Sequence, residues 1–232
     1  MKKQIHYKCE AGVIIKNNGG FTLVELLVAM AISLIVMGSI YSVYRSQQKS
    51  YIAQEQVAMM QQNLRAGMTM MTRDIRMAGY DPTTVSVAVG ITVANSDELE
   101  VERMNDALTA TETIKYSLED KGPDGDNDLV RDDGGGSQLV AENIDALNFV
   151  YLDQTGTVLD DDGSGNVTTS IPNIRSIQVT MVARTGRVDL GYTDNNTYQN
   201  QQDQNIYTPP ANDRSFRRRA LSREIKCRNL GI

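Results

Sequence analysis

Histidine and cysteine are nearly absent from this 232-residue sequence, which has one histidine, His6, and two cysteines, Cys9 and Cys227. Because His6 and Cys9 precede the glycine pair Gly19-Gly20, a chain cut at that pair keeps no histidine and one cysteine. Such a chain cannot form a Ser-His-Asp or Cys-His catalytic arrangement, a histidine-containing zinc site or an intrachain disulfide. Acidic residues are plentiful, but no spacing singles out a catalytic pair. We therefore predict a protein that is not an enzyme and needs no cofactor.

Positive charge is also scarce after the first 20 residues. That segment takes four lysines and one glutamate, which leaves 19 basic and 28 acidic residues and a net charge near −9. Nucleic acid is therefore a disfavoured partner, since general binding to it needs a basic field. The charge balance suits an exported domain that faces water. The remaining thiol, Cys227, is predicted to be buried among apolar residues, with an intermolecular bridge as the alternative.

An apolar run of 24 residues begins at Phe21 and reaches Tyr44 with one charged residue, Glu25. As a helix it would be about 36 Å long, enough to span a bilayer of about 30 Å. A secretory signal places small residues after its apolar segment, whereas Gly19-Gly20 precede this one. Cleavage there would leave the membrane segment on the mature chain. Lysines in the leader predict that this end stays cytoplasmic and that the C-terminal part is exported.

The sequence GFTLVELLVAMAIS resembles the type IV prepilin signature, in which glycine, a cleavage point and phenylalanine precede a glutamate. The resemblance implies that a prepilin peptidase cuts between Gly20 and Phe21 and that the amine of Phe21 is N-methylated. It also implies that Glu25 meets the amine of a neighbouring subunit during assembly. A charge at mid-bilayer costs about 2.5–3.5 kcal/mol, and pairing with a cation would offset that cost. The alternative is that Glu25 reaches the lipid headgroups and pairs with nothing.

The helix is predicted to continue beyond the membrane segment. Apolar residues recur at steps of three and four, which is typical of one face of an amphipathic helix. A single helix from Phe21 to about Ala78, stopped by Gly79 and Pro82, would be roughly 85 Å long and serve as a stalk. We expect the stripe to pack on a β-sheet of its own domain, with a methionine-lined binding groove as the alternative. The stripe consists of Val57, Met60, Leu64, Met68, Met71 and Ile75.

Beyond Asp81 the apolar pattern has a period of two, which predicts β-strands. The fold class is therefore α+β, with a long N-terminal helix on a C-terminal antiparallel β-sheet domain, as the resemblance to pilins also implies. We divide the chain into a leader (1–20), a long helix (21–79, membrane half 21–44) and a β-rich domain (80–232). A hairpin with Gly156 in its turn is predicted at 151–158. Predicted strands are Val85–Ala94, Leu99–Arg103, Thr113–Leu118, Ile144–Leu152 and Ile174–Ala183.

Residues 64–82, 177–185, 217–219 and 228–231 resemble PilW-like minor pilins. The J-type pseudopilins of type II secretion are the alternative, and a pilus-borne adhesin or DNA-binding module is an alternative of another class. The resemblance implies a low-abundance subunit that primes or caps filament assembly. Its partners would be other pilins and minor pilins, the prepilin peptidase and the inner-membrane assembly platform. The protein would lie in the bacterial inner membrane before assembly and then in the pilus, with its C-terminal domain periplasmic or extracellular.

Alternating carboxylates after residue 123 resemble the start of a calcium-binding loop. An EF-hand would need glycine at the sixth place and glutamate at the twelfth, but Leu129 and Gly135 stand there. The candidate is therefore a looser calcium loop, and residues 160–163 are a second, weaker one. The alternative is a pair of solvated turns. The candidate ligands are Asp124, Asp126 and Asp128.

Five arginines near the end of this acidic chain form its one basic cluster. They would meet an acidic surface on a neighbouring subunit or a phosphate. If the segment is a strand, its side chains alternate between two faces and only some share a patch. A charged edge strand that discourages aggregation is the favoured alternative. The arginines are Arg214, Arg217, Arg218, Arg219 and Arg223.

Overall fold

The computed structural model describes residues 19–82, 90–105, 107, 109–122 and 125–230. Within them, one long helix precedes two larger antiparallel sheets and a two-stranded one. Contacts divide the chain into two compact units, residues 1–50 and 51–232. The boundary falls inside the helix, so its two halves are described separately below. The predicted leader lies outside the described residues except for Gly19 and Gly20.

Helix α1 runs over Leu23–Met77. It begins two residues later than the predicted start at Phe21, because Thr22 occupies the capping position before the first helical turn. In the first unit every described residue is exposed, including the whole apolar segment up to Tyr44. The helical character of this segment therefore rests on its own backbone hydrogen bonds and its good helix-forming residues.

The second half of α1 buries one stripe on the β-domain. Met60, Leu64, Met68, Met71 and Ile75 are buried, and Val57 packs against them at the edge. The expected amphipathic face is thereby confirmed. Its spacing brings every third or fourth side chain to the same side, while glutamines and arginines cover the others.

The end of α1 is closed by residues from far along the sequence. Gly79 has φ +76°, and a β-carbon there would lie 2.6 Å from Leu230 Cδ2, so glycine alone fits this position. The side-chain amide of Asn229 donates hydrogen bonds to the carbonyls of Arg76 (3.1 Å) and Ala78 (3.4 Å). Carbonyls at a helix end lack partners within the helix, and Asn229 supplies one.

The first sheet is a five-stranded antiparallel meander in sequence order. Strands β2 and β3 pair without a register shift, from Leu99 opposite Tyr116 to Met104 opposite Thr111. The edge pairs β1–β2 and β4–β5 each contain a shift in register. The strands are β1 (Ile91–Ala94), β2 (Leu99–Met104), β3 (Thr111–Glu119), β4 (Asp128–Asp132) and β5 (Gln138–Ala141).

The second sheet has the order β11-β8-β6-β7, all antiparallel. A long connection between β8 and β11 contains the two-stranded sheet β9–β10. The predicted hairpin is confirmed, since β6 and β7 pair around Gly156, whose φ is +85°. The strands are β6 (Ile144–Leu152), β7 (Val158–Leu159), β8 (Ser176–Arg184), β9 (Tyr198–Gln199), β10 (Asn205–Tyr207) and β11 (Arg218–Lys226).

One hydrophobic cluster joins the α1 stripe to both sheets. It includes Ile114 and Tyr116 from the first sheet and Phe149, Ile177 and Met181 from the second, all fully buried. The predicted α+β fold, a long helix packed on antiparallel sheets, is thus confirmed. Four predicted strands are present with ends that differ by no more than two residues. Of the predicted strand Val85–Ala94, Ile91–Ala94 is a strand and 85–89 lie outside the described residues.

A buried ion pair adds a polar contact between α1 and the first sheet. Asp74 Oδ2 accepts hydrogen bonds from Arg131 Nε at 2.9 Å and from the Tyr116 hydroxyl at 2.6 Å. Burial and the charge of Asp74 raise the pKa of Tyr116 far above its usual value, which keeps this hydroxyl a donor. Arg131 also binds Asp133 at 2.7 Å. The buried charge of Asp74 is therefore balanced by Arg131 and also accepts a hydrogen bond from Tyr116.

Candidate functional site

The predicted cleavage bond lies in exposed chain just ahead of α1. Gly19 to Thr22 belong to no helix or strand, and Phe21 is 88% exposed. A β-carbon added at Gly19 or Gly20 would have no neighbour within 4 Å. No described residue therefore blocks access of a peptidase to the Gly20–Phe21 peptide bond.

Thr22 and Glu25 form a reciprocal cap at the start of α1. The Glu25 amide donates to Thr22 Oγ1 at 3.2 Å, while Glu25 Oε2 accepts from the Thr22 amide at 2.9 Å and its hydroxyl at 3.0 Å. This is the capping box, in which threonine and a glutamate three residues later each satisfy the other's backbone N–H. The carboxylate of Glu25 is thus held at the helix start, next to Phe21.

The surface of α1 behind this cap is apolar on all sides. Two of the three serines in the run, Ser33 and Ser39, donate to the carbonyls of Ala29 (2.8 Å) and Ile35 (2.9 Å). Both hydroxyl hydrogens are therefore bonded within the helix and need no water, as a lipid environment requires. By length and composition α1 is able to cross a membrane. Glu25 is the one charged residue on the segment 21–44.

Comparison with known families agrees with this geometry. Residues 15–41 match the family described as the prokaryotic N-terminal methylation motif. The match contains the glycine pair, the cleavage bond, the cap and the first turns of the apolar helix. The chain therefore carries a prepilin-type N-terminal methylation motif. The motif together with the apolar helix indicates anchoring in a membrane.

The other comparisons add a structural relative. The chain is similar to a type IV-like pilin from Thermus thermophilus, with 14% sequence identity and a TM-score of 0.48. The alignment covers 74% of this chain and 97% of that one. No curated protein sequence matches this chain significantly.

The candidate calcium ligands already have protein partners where they are described. Asp126 is buried and its Oδ2 lies 2.9 Å from Arg184 Nη2. Asp128 accepts the amides of Asn143 (3.0 Å) and Lys121 (3.3 Å). Asp124 lies outside the described residues, among which no group of three or more His, Cys, Asp or Glu is placed to hold a metal. Calcium binding stays an untested prediction.

The second acidic segment, residues 160–163, forms a hydrogen-bonded turn. Asp161 Oδ2 accepts the amides of Thr168, Thr169 and Ser170 at 2.7–2.9 Å. These hydrogen bonds hold the pKa of Asp161 far below its usual value, and the bond from the Ser170 amide has the largest effect. The carboxylate thus orders the loop ahead of β8, as expected of aspartates that favour turns.

The basic cluster does not form one patch. Arg218 is fully buried and pairs with Asp145 at 2.5 Å, with Asp194 at 3.5 Å and with Asp213. Burial raises the pKa of Asp145 despite this hydrogen bond from Arg218. Arg217 binds Asp189 at 2.8 Å. These contacts fasten the long β8–β11 connection to the second sheet.

The remaining arginines of the cluster differ in their surroundings. Arg214 Nη1 donates to Asn195 Oδ1 at 3.2 Å, within the same connection. Arg219 and Arg223 are exposed and form no ion pair among the described residues. The cluster is therefore divided between Arg218, which is buried, and Arg219 and Arg223, which are exposed.

Cys227 is buried and unpaired, as predicted. Burial raises the pKa of its thiol to about 12, so the reactive thiolate is nearly absent at neutral pH. An intermolecular disulfide would require this part of the domain to open.

Sequence reasoning missed the role of Thr22. The signal was present, because Thr-x-x-Glu ahead of an apolar run is the spacing of a capping box. It also missed Asp74, whose position between Met71 and Ile75 on the buried stripe signals a partnered charge.

Proposed function

We propose that this chain is a type IV pilin-like protein and specifically a minor pilin, most similar to PilW-like subunits, that primes or joins the assembly of a pilus. In this proposal a prepilin peptidase cuts between Gly20 and Phe21, and the new amine of Phe21 is N-methylated. The observation that carries the proposal is the exposed apolar surface of residues 23–44, which begins directly behind an exposed cleavage bond. Its apolar side chains find no cover within their own unit.

Before assembly, lipid covers that surface and the chain lies in the inner membrane. The positive leader keeps the N-terminal end cytoplasmic, so the β-domain is periplasmic and later extracellular. During assembly, the inner-membrane platform passes the processed helix to neighbouring pilins, whose helices replace the lipid. Packing of apolar helix faces is the favourable term in that exchange.

Glu25 supplies the directional contact in this mechanism. The capping box holds its carboxylate at the helix start. A buried carboxylate is stabilised by a cation, and the amine of a neighbouring Phe21 becomes available only after cleavage. Pairing between the two sets the axial position of one subunit against the next.

Two substitutions at Glu25 and one at Thr22 separate intersubunit pairing from helix capping. Glu25→Ala removes both, Glu25→Gln keeps an acceptor oxygen for the cap but no charge, and Thr22→Ala removes the hydroxyl that caps the Glu25 amide. We expect all three to insert and be cleaved normally. Both Glu25 variants should enter pili at least about tenfold less, as for other truncated buried charge pairs. Thr22→Ala should enter nearly normally.

Incorporation is measured by quantifying each variant in sheared pili and in membranes. Normal incorporation of Glu25→Gln, or a defect in Thr22→Ala as large as in Glu25→Ala, would show that capping and not pairing is the role of Glu25. Membership of the pilus is tested by purifying the tagged chain from membranes and identifying its companions. Recovery with secretion pseudopilins instead of pilus minor subunits would overturn the minor-pilin proposal.

A further inference from the structure

Strand β11 is a long sheet edge with one free side. All nine of its residues pair with β8, from Arg218 opposite Arg184 to Lys226 opposite Ser176, without a register shift. Within the described residues no strand pairs with its other side. Because backbone N–H and C=O groups alternate between the two edges of a strand, about half of those in β11 point away from the sheet.

The outer strands of the two larger sheets differ in how they are protected. Strands β1 and β5 have four residues each and a register shift at their pairing, and β7 has two residues. Short strands and bulges are the usual means of blocking edge pairing. Strand β11 has neither, and it contains no proline. Its geometry is that of a strand able to accept another.

Unpaired positive charge is concentrated along this same edge. Arg219 and Arg223 lie on one face of the strand, and Lys226, with Arg228 just beyond its end, on the other. All four are exposed and form no ion pair with any described residue. Glu224 is the one acidic residue on the strand. The edge is therefore basic, although the chain as a whole has a net charge of −6.

We propose that β11 accepts an extended, acidic segment of a neighbouring filament subunit as an added strand. The segment's backbone completes the ladder, and its carboxylates meet Arg219 and Arg223. A neighbour with the net negative charge of this chain would be repelled by it, whereas an acidic extended segment would be attracted to the basic edge. The identity of the occupant as a filament subunit rests on the proposed function.

The experiment uses the processed full-length chain in detergent and a short peptide of alternating threonine and glutamate, blocked at both ends. We expect the peptide to bind, to slow amide hydrogen exchange within residues 218–226, and to bind less tightly at high salt. The double variant Arg219→Glu/Arg223→Glu should bind it about tenfold more weakly, equivalent to about 1.4 kcal/mol. A threonine–lysine peptide should not bind.

The matched control is Arg65→Glu/Arg73→Glu. Both residues are exposed on α1 and form no ion pair among the described residues, so the change in net charge is the same. Equal affinity of the two double variants, equal binding of the lysine peptide, or unchanged exchange in β11 would each overturn the proposal. The assay needs no filament. If the peptide does not bind but Glu25-dependent incorporation into pili is normal, only the edge proposal is overturned. If the peptide binds but the chain does not enter pili, only the minor-pilin proposal is overturned.

Discussion

The two halves of α1 use apolar residues in opposite ways. Between Leu23 and Tyr44 every large apolar side chain is at least half exposed, whereas Met71 and Ile75 in the second half are 0% exposed. Leucine, methionine and isoleucine supply both surfaces. The apolar side chains of the second half pack against sheets of their own unit, whereas those of the first half are covered by no described residue of their unit. Apolar content alone therefore does not distinguish a buried core face from an exposed apolar surface; the distribution of apolar residues around the helix does.

Acidic residues show the same contrast. In the first half, Glu25 is exposed and bonded within its own helix turn. In the second half, Asp74 is buried and bonded to Arg131 and Tyr116 from the sheet. The first carboxylate can change partner at little cost, while the loss of the second leaves the buried Tyr116 hydroxyl without its acceptor and Arg131 without its buried partner.

The largest expected effect is the loss of the Asp74 contacts in the second half of α1. Asp74→Ala leaves Arg131 without its buried partner, and removing one member of a buried pair costs about 3–5 kcal/mol. We expect that loss in the free energy of unfolding, measured by urea titration with tyrosine fluorescence, since the chain has ten tyrosines and no tryptophan. The control Glu55→Ala, at an exposed site on the same helix, should change it by less than about 0.5 kcal/mol. Equal losses would mean that the ion pair is not structural.

A pair of methionines compares the halves directly. Met71 is fully buried and Met37 is 68% exposed. Met71→Ala should lower the free energy of unfolding by about 2–5 kcal/mol through the lost contacts and cavity, and Met37→Ala should leave it unchanged. In the processed chain, Cys227 is the one thiol, and its labelling rate reports opening of the domain. Faster labelling in Met37→Ala would contradict the separation of the two halves.

A pair of helical glycines gives the smallest expected effect. A β-carbon at Gly67 would lie 2.8 Å from Leu129 Cδ2, whereas one at Gly38 has no neighbour within 4 Å. Overpacking costs about 1–3 kcal/mol and replacing a helical glycine by alanine gains about 1 kcal/mol. Gly67→Ala should thus lower the free energy of unfolding by about 1 kcal/mol, read from thermal unfolding. Gly38→Ala should not lower it, and a gain in Gly67→Ala would mean that Leu129 moves freely.

What could be predicted from the sequence is what is encoded locally. The motif around Gly20, Phe21 and Glu25 is contiguous, and the stripe from Val57 to Ile75 repeats with one period. Strand β6 is predicted with its observed ends because seven of its nine residues are apolar, β-branched and aromatic side chains among them. In each case neighbouring residues carry the whole pattern.

What could not be predicted depends on distant partners. Strands β4 and β5 were missed because aspartates and Gly134–Gly136 interrupt their apolar residues, and pairing with β3 decides their state. Asp126 is a candidate calcium ligand in the sequence, and its bond to Arg184 of β8 is visible only in the structure. Arg218 belongs to the basic cluster of the sequence, yet three aspartates surround it in the structure. No local spacing encodes these contacts.

The contact between Asn229 and the end of α1 has a consequence for the order of folding. Synthesis makes α1 first, but the side chain that closes its last turn comes 153 residues after Arg76, beyond both sheets. Contacts between residues so far apart in sequence form late, because the intervening chain must first be ordered. The last carbonyls of α1 therefore stay hydrated on the nascent chain until β11 pairs with β8 and brings Asn229 back. Completion of the helix thus reports that the final strand is in place.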